Sequence, residues 1–397
     1  MSLIFESQAI KGDPTAAATH VLLIGCGEYP SIAKAGYGSL KPLSSPRLSV
    51  EAIANWFLTG VDAMPLGQAK DSSEAFFNSE APLGSLAMLT SPYHAFATPF
   101  GSSITPTRPT IANIRAAYLA WLERIALNSD SRGVFYFCGH GVSDGLTQYL
   151  VADDLGEDLN NTWDAVFHLT NTAQASIRKA KASLFYFIDA CMELSEEMIN
   201  QIDSPRALIG GKRTGTPTTN EWAILRATTA NRIAYAPEGG VAKFTAALLA
   251  ALKGHCGLQH PSGNGYGVGI ASLREAISAF LEFEQPDAGD DRQKVGATEG
   301  DGTWTVPMHI QAKRPSILLE LDVVPLGFRP LAQAFMEDPA QARDIKSLST
   351  GPAKFVREQG EWTYGANSTD STSFKEQILS KQFLTQAAFR RRFTVSS

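Results

Sequence analysis

The chain has 397 residues, room for one large domain plus a small one, or for two of ordinary size. Charged residues at 19% and hydrophobic residues at 44% describe an ordinary soluble globular protein with a sizeable core. The formal net charge of −6 argues against nucleic acid as a partner, and the densest basic cluster, Arg390-Arg391-Arg392, stands alone near the C-terminus. Four cysteines (Cys26, Cys138, Cys191, Cys256) are too few and too scattered for a disulfide framework or paired zinc knuckles, and they fit a reducing compartment. Residues Met1 to Asp13 carry no basic region followed by a long apolar stretch, and the longest apolar segment, Phe244 to Leu252, is too short to span a bilayer. The expected setting is cytoplasmic, with no membrane partner.

In chain order, the first predicted strand is Val21-Leu22-Leu23-Ile24-Gly25, closed by Gly25-Cys26-Gly27. Leu48, Ile53 and Phe57 line one side of a predicted helix from about Pro46 to Leu58, and Leu86 to Leu89 predicts a second strand. A polar, proline-rich stretch follows up to Pro109. Thr110 reads as the N-cap of a helix whose apolar stripe is Ile111, Ile114, Tyr118, Leu122 and Ile125.

Two apolar runs then end in reactive side chains. Gly133-Val134-Phe135-Tyr136-Phe137-Cys138-Gly139-His140-Gly141 ends in a histidine between glycines. After a helix predicted over about Asn171 to Lys181, Leu184-Phe185-Tyr186-Phe187-Ile188-Asp189-Ala190-Cys191 ends in a cysteine behind an acid. Trp222 to Leu225 is a further strand, and Val241, Phe244, Leu248 and Leu252, then Leu273, Ile277 and Phe280, mark two more helices. Strands alternating with helices predict an α/β fold, a mostly parallel sheet flanked by helices on both faces. In such sheets the site lies beyond the carboxyl ends of the strands, where both reactive residues fall.

A thiol attacks a carbonyl as thiolate, so it needs a base or an imidazolium within reach. His140 precedes Cys191 by about 50 residues, the length of one strand-helix-strand crossover. That spacing suits the tips of neighbouring parallel strands. Attack also creates an oxyanion that needs preorganised donors, and the backbone N–H groups of Gly141 and Cys191 are the candidates.

A strand ending Phe137-Cys138-Gly139-His140-Gly141, a crossover, and a strand ending Asp189-Ala190-Cys191 resemble the caspase-like cysteine peptidases, including metacaspases and bacterial orthocaspases. The resemblance runs from Val21 to about Leu281, and Trp222 to Ala236 followed by Gly239-Gly240-Val241-Ala242-Lys243-Phe244-Thr245 is similar to the family's small-subunit strand and helix. It implies a caspase-hemoglobinase-like sheet and endopeptidase activity on protein or peptide substrates. Cys191 is then the nucleophile and His140 the general base and acid, with no cofactor or metal. An acid two residues before the cysteine is the metacaspase-like choice; it implies Asp189 as a substrate-binding carboxylate and cleavage after Arg or Lys. Metacaspase-like enzymes usually add an acid after the next strand, which Ala227 to Arg232 does not supply. An uncharged or Met-like preference is the alternative.

Other readings stay beside these. Asp189 could cap a turn or a helix start. Cys138 with His140, Asp153, Asp154 and Asp189 could be imagined as a metal cluster, but no second Cys/His pair at ligand spacing supports it. Asp144 could orient substrate or be a solvated loop acid. His20, His94, His168, His255, His260 and His309 have no motif support. The rival to an enzyme is a catalytically silent scaffold on the same fold.

The chain divides, on this reading, into a peptidase domain over 1–302 and a small β-rich module over 303–397, where Ile317 to Val324, Phe355-Val356, Trp362 to Tyr364 and Phe393 to Val395 read as strands. Residues 60–109 form an expected insertion, a lid or docking surface. Residues 203–220, with Arg206, Lys212 and Arg213, occupy the position of the linker that the resembled family cuts during maturation. The resemblance also implies an effector of bacterial defence or cell death, activated by a protein partner in trans.

Overall fold

The computed structural model describes residues 2–35, 41–60, 75–143, 147–191, 193–194, 205–210, 221–228, 234, 236–263, 265–285, 292–303 and 305–396. Among them, β1 (Ser2–Glu6), β2 (Thr19–Cys26), β3 (Leu83–Ser91), β4 (Arg132–Gly139), β5 (Ser183–Ala190), β6 (Trp222–Arg226) and β7 (Glu299–Asp301) form the central sheet, in the spatial order β1-β3-β2-β4-β5-β6-β7. The inner pairs are parallel, and β1 and β7 close the two edges antiparallel. Every residue of β2 to β6 is buried. This explains their unbroken apolar runs: a parallel strand covered on both faces has no side left for alternating polar residues. β3 lies inside the stretch expected as an insertion, so at least nine of those residues are sheet core rather than lid.

Side-chain alternation splits the strands between two helical layers. Phe185 and Phe187 of β5 face a cluster containing Val50, Ile53 and Phe57 of α1 (Ser45–Thr59), together with α4 (Lys243–Ala250) and α5 (Ile270–Glu284). Leu184, Tyr186 and Ile188 face the other side, against α2 (Ile111–Ile125) and α3 (Leu169–Ser176). Thr110 caps α2 by accepting the Asn113 N–H. α3 starts two residues earlier than its periodicity predicts, because the His168 ring accepts the Asn171 N–H. On this second face the Tyr118 hydroxyl meets those of Ser176 and Tyr186 at 2.6 and 2.8 Å, which offsets the cost of burying them. Among the described residues no helix is long and apolar enough to cross a membrane.

Toward the C-terminus, His309–Gln311 first pairs with Tyr266–Val268, just ahead of α5. The chain then forms β8 (Ser316–Val324), β9 (Ala332–Glu337), β10 (Arg343–Ser347), β11 (Ala353–Glu358), β12 (Gly360–Ser368), β13 (Gln377–Leu384) and β14 (Ala388–Thr394). These described strands make two sheets, β11-β8-β14 and β10-β9-β12-β13. Leu319, Leu321, Met336, Phe355 and Phe393 are among the residues of a core between them. Phe283 at the end of α5 ties this module to the sheet-bearing part: the Arg390 guanidinium lies 4.6 Å from its ring centre and the Lys354 ammonium 5.6 Å. Arg390 also pairs with Glu320 at 3.2 Å, so the basic run on β14 is partly spent in packing. Phe283→Ala removes a ring that is 2% exposed and should cost about 3–5 kcal/mol. Urea denaturation, with faster proteolytic cutting between residues 292 and 316, would register it; unchanged stability and cutting would show that the module does not depend on this ring.

Candidate active site

The register of β4 against β5 places Gly139 opposite Ala190. His140 and Cys191 therefore leave the ladder at the same level on neighbouring strands, whose backbones run about 4.8 Å apart. β2 lies on the other side of β4, with Gly25 opposite Cys138, and its end supplies the support for His140. Tyr29 donates its hydroxyl to the Cys26 carbonyl at 3.0 Å and accepts the His140 backbone N–H at 2.9 Å, while its ring lies 4.9 Å from the imidazole. Gly139 fits here because a Cβ would meet Cys26 and the Tyr29 hydroxyl at 3.0–3.1 Å.

The imidazole has a defined tautomer. Its Nε2 lies 2.7 Å from the Lys41 carbonyl, which can only accept, so Nε2 carries the proton. In the neutral ring Nδ1 is then the basic nitrogen. A backbone carbonyl thus serves as the orienting third group that a nucleophile-base pair requires.

Cys191 is half-buried, whereas Cys26, Cys138 and Cys256 are buried. Burial pushes the thiols of Cys26 and Cys138 well up, and that of Cys256 up to about 12, which makes them poor nucleophiles. The Cys191 Sγ accepts the Ala234 backbone N–H at 3.3 Å and lies 4.0 Å from the Ala234 carbonyl, so the thiol is held against this backbone unit from both of its polar groups.

Gly141 opens a small sheet laid over the tips of β4 and β5, where Gly141–Ser143 pairs with Gln148–Val151. The Val151 N–H donates to the His140 carbonyl at 3.1 Å, the pattern in which Gly141 and Leu150 form a non-hydrogen-bonded pair. The Gly141 N–H accordingly points away from that partner strand. On its other side, a Cβ at Gly141 would stand 2.5 Å from the Cys191 carbonyl oxygen, so only glycine allows this approach.

Asp189 points to the α4 side and is 3% exposed. Its Oδ2 accepts both the Thr245 N–H (3.1 Å) and the Thr245 hydroxyl (2.5 Å), while Oδ1 is buried with no hydrogen-bond partner among the described residues. Burial pushes this carboxyl up to about 6 against the two Thr245 hydrogen bonds. Asp153 and Asp154 do not join Cys138, His140 and Asp189 in a metal cluster. Asp153 pairs with Arg108 at 2.9 Å, and Asp154 accepts the Ile111 N–H at 2.9 Å at the start of α2.

Arg206 of the expected processing loop has an exposed side chain, but its carbonyl accepts the His168 N–H at 3.1 Å and its backbone bridges Phe167. Lys212 and Arg213 lie outside the described residues, as does Asp144. Sequence reasoning did not find Tyr29, Lys41, Gln148, Arg226 or Thr245. Lys41 acts through its carbonyl, which leaves no residue-type signal; Tyr29 and Gln148 sit in runs without a motif, and Arg226 and Thr245 sit in the runs similar to the family's small-subunit strand and helix, which do not mark their individual contacts.

A family model for the caspase domain matches residues 18–263. The uncharacterized protein y4kE of Sinorhizobium fredii (strain NBRC 101917 / NGR234) is 69% identical over 340 residues, 86% of this chain and 98% of its own length. Among solved structures, caspase-1 from Spodoptera frugiperda is similar over 74% of this chain and 89% of its own, at 13% identity and a TM-score of 0.40. The pro-sf-caspase-1 structure gives 74% and 94%, 11% identity and a TM-score of 0.39. The chain belongs to the caspase domain family, a family of cysteine peptidases.

The raised Asp189 carboxyl has a stability consequence. Its folded value of about 6 exceeds the ordinary 3.8, so the folded state gains relative stability below about pH 4 and loses it as pH rises toward 6. Asp189→Asn removes that loss. Its stability relative to wild type should rise by about 2–3 kcal/mol between pH 4 and pH 7. Urea midpoints across that range check it; parallel profiles would contradict it.

Proposed function

We propose that the chain is a cysteine endopeptidase working through Cys191 and His140. The observation that carries the reading is the register that brings both residues off adjacent strands at one level, with the imidazole tautomer set by Lys41. Nδ1 takes the Cys191 thiol proton as Sγ attacks the scissile carbonyl carbon. The developing oxyanion is received by the backbone N–H groups of Cys191 and Gly141. The C–N bond then breaks as Nδ1–H returns its proton to the leaving amine, giving a thioester. Water, deprotonated by Nδ1, hydrolyses the thioester and restores the thiol.

The preferred residue before the cut is basic on this reading. The support is the buried Asp189 Oδ1 without a hydrogen-bond partner among the described residues, which a guanidinium or ammonium group would satisfy. A second reading of Asp189 rests on its two bonds to Thr245: the carboxylate anchors the start of α4 and takes no part in selection. Self-processing, if it follows the same preference, falls at Lys212-Arg213 rather than Arg206, whose backbone is held by an isolated bridge to Phe167.

A peptide chloromethylketone ending in Arg should label the protein, with labelling lost in Cys191→Ala and slowed by about 10²–10⁴-fold in His140→Ala. Absence of labelling of the wild type under any activating condition would favour the silent scaffold. A peptide-library assay on the wild type and Asp189→Asn decides the preference: basic selection lost in the variant supports the acidic pocket, while selection left unchanged assigns Asp189 to α4 alone.

A further inference from the structure

A chain of polar groups reaches the cysteine strand from the β7 edge of the sheet. Glu299 of β7 accepts from the Arg226 guanidinium at 2.6 Å, and Arg226 Nε donates to Gln148 Oε1 at 3.1 Å. The Gln148 amide nitrogen in turn donates to the carbonyls of Ala190 (3.3 Å) and Cys191 (3.2 Å). Gln148 is 1% exposed and Arg226 8%. The amide orientation is forced, because arginine can only donate and the two carbonyls can only accept.

We propose that Gln148 is a positioning residue that aims the two oxyanion donors, an inference that rests on the peptidase reading above. The peptide unit between Ala190 and Cys191 is planar and trans, so the direction of the Ala190 carbonyl fixes that of the Cys191 N–H. By holding that carbonyl, Gln148 sets where the Cys191 N–H points. Gln148 also belongs to the strand that pairs with Gly141–Ser143, with Ser143 directly opposite. One side chain therefore clasps the hairpin carrying the Gly141 N–H to the strand carrying the Cys191 N–H. Arg226 and Glu299 hold the clasp at its other end, and Thr170 completes that end by donating to Glu299 at 3.1 Å.

The test separates attack at a carbonyl from attack at saturated carbon. Acylation by an activated peptide ester generates an oxyanion; alkylation by iodoacetamide uses the same thiolate and generates none. Gln148→Glu keeps the acceptor for Arg226 and removes the donors to the two carbonyls. It should slow acylation by about 10–100-fold, mainly in kcat, while alkylation stays within about two-fold of wild type. Lowering the pH should narrow the acylation gap, because a protonated carboxyl regains one donor. Glu299→Gln, at the half-exposed end of the chain, should show the same pattern with a smaller drop, and it keeps the test available should the first variant fold poorly. Equal losses in acylation and alkylation in the folded variants would assign Gln148 a merely structural role and overturn the inference, as would unchanged acylation. A wild type that alkylates but never acylates would overturn the peptidase reading itself, and the inference with it.

Discussion

The arrangement at the site depends on one backbone constraint, the parallel pairing of Arg132–Gly139 with Ser183–Ala190. Side chains in strands repeat every two residues, so a slip of one position would move Cys191 away from the level of His140 and turn every buried aromatic of β5 to the opposite helical layer. Phe185 and Phe187 on one face, and Tyr186 on the other, are fully packed where they are. The core and the site are consequently fixed by the same choice. Hydrophobic packing specifies the register, and the register brings the strand ends that carry His140 and Cys191 to one level.

Buried polar groups add the finer positioning. α4 begins at Ala242, which offers no side-chain cap, and Asp189 of β5 receives the Thr245 N–H in its place. A carboxylate brought from a distant strand satisfies a helix start and complements its dipole. Tyr136 reaches the same Thr245 hydroxyl at 2.5 Å, so β4, β5 and α4 share a hydrogen-bonded knot directly beneath the strand tips. On the other face, Gln148 and Arg226 tie β5 to the overlying hairpin. The cysteine strand is held from both sides within two residues of its end.

Much of this is visible in the residues alone. Continuous apolar runs closed by Gly-Cys-Gly, Cys-Gly-His-Gly and Asp-Ala-Cys mark β2, β4 and β5, and Thr110 marks the start of α2. These are local signals, carried by periodicity and by residue types with strong preferences. β3 is legible as the apolar run Leu86 to Leu89 although it sits in a Ser/Pro-rich stretch that reads as an insertion, and pairing with β1 and β2 makes it an inner strand. The start of α3 depended on a histidine ring acting as a cap, which periodicity does not encode.

The sequence by itself determined the α/β alternation, the two reactive strand ends and their separation of one crossover, because burial on both faces and chain length leave their mark on residue type. Only the tertiary structure decided which nitrogen of His140 is basic, which backbone unit meets the Cys191 sulfur, and which group holds the Asp189 Oδ2. Those outcomes come from a carbonyl at Lys41, a backbone N–H at Ala234 and a hydroxyl at Thr245. Each is brought by folding from a distant part of the chain. A backbone group is the same at every residue, so its role is written in position rather than in sequence.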